Sequence, residues 1–153
     1  MSEHLKSLAR EIGKMEGYEY WIVPCPCSYG FNGYVVFPRR PVKEKGYRGI
    51  LTYVPVHGGI TYAKPYKRGI VYGFDTGHFD SDKYPIGDEN WIKKQIKIMI
   101  VGILKAKEVE DFYLWAELAD YAKERYAKEV LDTLGDPTYS NFGVDINRLF
   151  GQV

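Results

Sequence analysis

At 153 residues, with 45 % hydrophobic and 27 % charged residues, the chain has the make-up of one soluble globular domain that buries its own core. A formal net charge of +1 excludes the large electrostatic footprint of a duplex nucleic-acid binder, while leaving room for a local basic patch. No apolar run approaches the roughly 20 residues of a membrane span, and the N-terminus lacks the apolar core of a signal peptide, so an intracellular setting is expected.

In chain order, Ser2 is placed to cap a first helix. Along it Leu5, Leu8, Ile12 and Met15 recur at spacings of three and four, until Gly17 ends it. The β-rich run from Tyr18 to Cys25 and the run from Gly33 to Pro38 each read as a strand stopped by proline. "RRPVKEKGY" is a basic, solvated connection. "RGILTYVPVH" then alternates, with Ile50, Thr52, Val54 and Val56 facing one way and Leu51, Tyr53, Pro55 and His57 the other. That pattern predicts a third strand, and "ITYAKPY" and "GIVYGFD" add two more across short turns, so the sheet is expected to be antiparallel. From Asp88, an N-cap residue, Ile92, Ile96, Met99 and Ile103 mark a helix with a wet lysine face. A second long helix, about Glu108 to Thr133, turns Phe112, Trp115, Ala119, Ala122, Tyr126 and Val130 inward. A loop and a last helical turn complete the tail. The expected architecture is α+β: one domain, residues 1–153, with a small, mainly antiparallel sheet of about four or five strands covered by an N-terminal helix and two long C-terminal helices. The aromatic second helix, which also carries Tyr121, is expected to pack on this sheet or on a second copy in a homodimer. High Lys, Glu, Ile and Tyr usage fits a thermophilic source.

The two cysteines, Cys25 and Cys27, are one residue apart. A bridge between them would close almost no loop, so they read as free thiols at a strand end. There are three histidines, His4, His57 and His78. His57 precedes Gly58 and Gly59. The pair of glycines is a good hairpin turn, and it is also a place where free backbone N–H groups form a nest for an anion such as phosphate. "GFDTGHFDSD" crowds Asp75, His78, Asp80 and Asp82 into eight residues. Imidazole and carboxylates suit a divalent metal, or a base and the acid that orients it. They equally suit an exposed acidic turn. It is not an EF-hand loop, because the glycine and distal glutamate positions are missing. A meander of strands would return Asp75 and His78 to the sheet end that holds His57, Gly58 and Gly59, with the imidazoles within about 10 Å, two strand spacings.

The segments "GYVVFP", "VHGGITY" and "GFDTGHFDSD", followed by a helix that opens on Trp91, resemble a widespread group of uncharacterised phage and prophage proteins. Those proteins share a Gly-Tyr-Val…Pro segment, a Val-His-Gly-Gly-Leu-Thr-Tyr segment and a Gly-Phe-Asp-Cys-Ala-His-Ala-Gly-Asp segment. The likeness spans about residues 31–100 and leaves out the C-terminal helical part, about 108–153. Thr76 stands where the group has cysteine, and Asp80 is one residue out of register with its aspartate. The resemblance implies a viral or mobile-element origin, hence the cytoplasm of a host cell, and nominates residues without naming a reaction.

Taken together, these readings point to a small hydrolase acting on a nucleotide or other phosphorylated ligand. His57 would be base or metal ligand, Gly58 and Gly59 the anion cradle, and Asp75 and His78 the orienting pair or, with His57 and Asp80, the ligands of a divalent metal ion. Thr61 would line the site, and Tyr62 and Tyr72 would stack on a base. The alternatives are a non-catalytic module that sequesters a nucleotide signal, and a structural or interaction protein in which both histidines only pin loops.

Overall fold

The computed structural model describes residues 2–43, 46–47, 49–78, 80–115 and 120–134, and the side chains of all of these except 111–115 and 120–123. Five strands form one antiparallel sheet: β1 (Glu11–Met15), β2 (Tyr18–Pro24), β3 (Phe31–Phe37), β4 (Tyr62–Tyr66) and β5 (Gly69–Phe74). Their order across the sheet is β1-β2-β3-β5-β4. The helices are α1 (Ser2–Ser7), α2 (Glu89–Trp115) and α3 (Asp120–Leu134). The α+β plan read from the sequence is the plan observed. Among the described residues no helix is long and apolar enough to cross a membrane.

Two of the expected elements differ. The predicted first helix stops at Ser7, and its second half is the edge strand β1. Leu8 and Ile12 are 52 % and 51 % exposed, so the apolar stripe that suggested a helix has no core to face. The turn Glu16–Gly17, with φ of 53° and 83°, instead reverses the chain so that β1 pairs with β2, Met15 opposite Tyr18 and Glu11 opposite Ile22. The predicted strand at 48–57 is a 3-10 turn, Gly49–Tyr53, followed by an irregular segment. Ile50 and Leu51 are adjacent and both buried, which a half-buried strand cannot achieve, because neighbouring side chains point to opposite faces. Pro55 also lacks the N–H that a ladder needs.

The main core lies between one sheet face and α2. Ile22, Val35, Tyr72 and Phe74 on the sheet meet Ile92, Ile96, Met99 and Ile103 on α2, and Tyr126 and Val130 of α3 close it. The four α2 positions are the ones the helical spacing selected, and all are fully buried. The wet lysine face is partly tied down: Lys93 reaches Glu11 at 2.9 Å and Lys97 reaches Glu16 at 3.6 Å. The boundary between the two long helices falls after Trp115 rather than near 105. The inward roles expected for Phe112, Trp115, Ala119 and Ala122, the part foreseen for Tyr121, and the tail after 134 lie outside the described residues and side chains. On the other sheet face a smaller cluster of Trp21, Val23, Tyr34, Tyr66 and Val71 packs under Leu5 of α1.

Candidate functional site

The β4–β5 hairpin brings the two histidine-bearing stretches together. Tyr62 opens β4 opposite Gly73 near the end of β5, and the Thr61 N–H donates to the Gly73 carbonyl at 2.9 Å. The segment before β4 and the segment after β5 therefore share one end of the sheet. The rings of His57 and His78 are 5.9 Å apart, edge to face, inside the expected 10 Å limit. One hairpin does this, in place of the meander the sequence suggested.

His57 is buried, at 3 % exposure. Its backbone N–H donates to Gln95 Oε1 of α2 at 2.9 Å. Its Nε2 is 2.9 Å from the buried Ser81 hydroxyl. Tyr84 and Trp91 stand edge-on to the ring at 4.9 and 5.3 Å. Enclosed in this way, His57 links its loop to α2 and to Ser81, a placement that differs from the open base or metal ligand expected of it.

His78 is different. Its side chain is 28 % exposed, and its Nε2 lies 3.0 Å from Asp75 Oδ1. The contact is off the line of an ideal hydrogen bond, and Nε2 itself is buried. It is a close contact between the ring and the carboxylate rather than a hydrogen bond. A carboxylate only accepts, so with the proton on Nε2 the nitrogen open to take another is Nδ1. Asp75 Oδ1 is held from the other side by the Thr61 hydroxyl at 3.0 Å. The His78 N–H donates to Ser81 Oγ at 3.2 Å, so one buried hydroxyl joins both histidine segments.

Gly58, with φ of 72°, lies against this ring, and a Cβ there would be 2.2 Å from His78 Nε2. The Gly59 N–H donates to the Val56 carbonyl at 2.8 Å, which makes the double glycine a turn. That amide is not offered to an anion, so the cradle expected of it is not formed by Gly59. Tyr72 is fully buried and cannot stack on a ligand base. Tyr62 hydrogen-bonds through its hydroxyl to Ser2 at 2.8 Å and meets Tyr34 edge-on, on the α1 face of the sheet. Asp80 starts the 3-10 turn Ser81–Lys83 and makes no side-chain capping bond. Among the described residues no three His, Cys, Asp or Glu side chains are grouped to hold a metal ion. His57, Asp75, His78 and Asp80 are thus not arranged as the ligand set that their spacing suggested.

Sequence reasoning missed Ser81, Gln95 and Thr76. Thr76 is fully buried, with its hydroxyl donating to the Phe31 carbonyl at 3.0 Å and its N–H to Asn32 Oδ1 at 2.9 Å. It anchors the start of the loop that carries His78. Both cysteines are free, Cys25 buried and Cys27 exposed. They border the same loop, since a Cβ on Gly77 would be 3.1 Å from Cys27 Cβ, 3.3 Å from Asp75 Oδ2 and 3.7 Å from Cys25 Sγ.

Comparison with protein-family models, curated proteins and solved structures returns no match.

Proposed function

We propose that the chain is a small hydrolase whose general base is the Asp75–His78 pair. The observation that carries this reading is the 3.0 Å contact between Asp75 Oδ1 and His78 Nε2 at a partly exposed ring. On this reading Asp75 favours the proton on Nε2 and leaves Nδ1 to take one. Thr61 orients the carboxylate, and Ser81, His57 and Gly58 are positioning residues. The nucleophile is a water, or the exposed thiol of Cys27 at the same loop. Asp75 and its neighbours Asp80 and Asp82 make the rim acidic, so an uncharged ester or amide suits the base better than a phosphoryl group. Two of the three stretches that carry the resemblance to phage and prophage proteins meet here, which supports a shared site.

The test is turnover of activated esters, amides and phosphate esters by the wild type and by His78→Ala, Asp75→Asn and Cys27→Ser, with folding followed by circular dichroism. The expected result is ester or amide hydrolysis that falls about 100-fold or more in folded His78→Ala. Cys27→Ser distinguishes the two nucleophiles. The reading is lost if the wild type turns over nothing, or if His78→Ala works as well as the wild type.

A further inference from the structure

At the opposite end of the sheet, on the face that α1 only partly covers, a cleft of about 540 Å³ runs between the two hairpin turns. That volume suits a small organic ligand. Lys14 of β1 lines one side, and Lys67 and Arg68, the two residues of the β4–β5 turn, line the other. Val36, Pro38 and Tyr66 supply its apolar part.

The charges of the cleft are uneven. Elsewhere Lys6, Lys93, Lys97 and Lys105 each reach a glutamate. Lys14, Lys67 and Arg68 are exposed and make no ion pair among the described residues. The one carboxylate in the lining, Glu19, is already engaged by Lys6 Nζ at 3.0 Å and by the Trp21 indole N–H at 2.6 Å. Burial pushes its carboxyl up, but Trp21 and Lys6, with a smaller contribution from Lys67, outweigh burial and hold it below the ordinary range. Glu19 is thus held chiefly by Trp21 and Lys6, Lys67 Nζ stands 5.3 Å from the Tyr66 ring, and Lys14, Lys67 and Arg68 together line the concave space. Concave low-dielectric walls concentrate their field.

Lys67 has φ of 54°, a left-handed turn conformation that glycine adopts without strain.

We propose that this cleft binds a phosphorylated small molecule with a flat apolar body, of the nucleoside mono- or diphosphate class. The phosphates meet Lys14, Lys67 and Arg68, and the flat body covers Val36, Pro38 and the edge of Tyr66. The site is separate from the Asp75–His78 pair and does not depend on that reading.

Isothermal titration calorimetry of the full chain with ADP, AMP, adenosine, inorganic phosphate and a short single-stranded oligonucleotide tests it. ADP is expected to bind more tightly than adenosine or phosphate alone. Lys67→Gly, which relaxes the turn and so keeps the fold, and Arg68→Ala are each expected to weaken ADP at least about tenfold, the value of one charge-assisted hydrogen bond. Asp75→Asn and His78→Ala are expected to leave binding unchanged. Absence of ADP binding, undiminished binding by Lys67→Gly and Arg68→Ala, or loss in the Asp75 and His78 variants overturns the proposal. So does phosphate or adenosine binding as tightly as ADP, or an oligonucleotide binding more tightly. Only loss of binding in the Asp75 and His78 variants would bear on the site proposed for hydrolysis.

Discussion

The contrast between His57 and His78 shows how surroundings divide identical side chains. Both follow the same logic in the sequence, an imidazole beside turn residues. Tyr84, Trp91 and Ser81 enclose His57, while the His78 side chain stays 28 % exposed beside Asp75. The sequence made the neighbourhood legible but not the division of roles, because burial depends on α2, whose Gln95 reaches across 38 positions to the His57 N–H. Gly58 is the residue on which the pair most depends. An alanine there meets a left-handed backbone and His78 Nε2 at 2.2 Å. Gly58→Ala is therefore expected to lower stability by about 1–3 kcal/mol and to displace the His78 ring. Urea denaturation and the His78 imidazole resonances check the two effects. Unchanged resonances would mean the ring is not seated on Gly58.

Among the elements, β2, β3, β4 and β5 were readable because alternation, β-branched residues and proline or glycine stops agree there. So was the buried stripe of α2, at Ile92, Ile96, Met99 and Ile103. Two elements were not. Leu5, Leu8, Ile12 and Met15 have helical spacing, yet the open backbone of β2 recruits residues 11–15 as an edge strand. Ile50, Val54 and Val56 are buried, but Thr52 of the same expected face is exposed and Leu51 and His57 of the other face are buried, and the segment plugs the core as a 3-10 turn. Edge strands depend on anchors. Glu11 accepts from the Tyr20 hydroxyl at 2.5 Å and from Lys93 of α2 at 2.9 Å. Those two partners, Tyr20 first, hold its carboxyl below the ordinary range. A group with a lowered folded pKa stabilises above its unfolded value and loses that contribution as pH falls through the folded one. Amide exchange of β1 is expected to accelerate more than that of β3 on acidification below about pH 4, and Glu11→Gln to show the same loss already at neutral pH. Equal acceleration in β1 and β3 would dissociate the anchor from the strand.

For the whole molecule, two cores on the two sheet faces share one feature, a buried phenol. Burial pushes Tyr34, on the α1 face, and Tyr72, on the α2 face, up to about 12. A raised folded pKa means that the stabilisation is full below the unfolded value of about 10 and is lost as pH rises from there toward 12. Urea midpoints are expected to fall across that window, and Tyr72→Phe to flatten the fall. A midpoint independent of pH there would contradict the burial of both rings. At this scale the layer plan and the meeting of residues 57–61 with 75–81 across the β4–β5 hairpin were legible in the sequence, while the seating of the 49–57 segment against α2 was not, because it rests on contacts distant in the chain. The central claim, that the fold presents His78 as a base oriented by Asp75, is tested most directly by the long-range ¹H–¹⁵N spectrum of the neutral imidazoles. The account predicts His78 protonated on Nε2 with a bare Nδ1, and loss of that preference in Asp75→Asn; a His78 protonated on Nδ1, or a tautomer indifferent to Asp75, would contradict it.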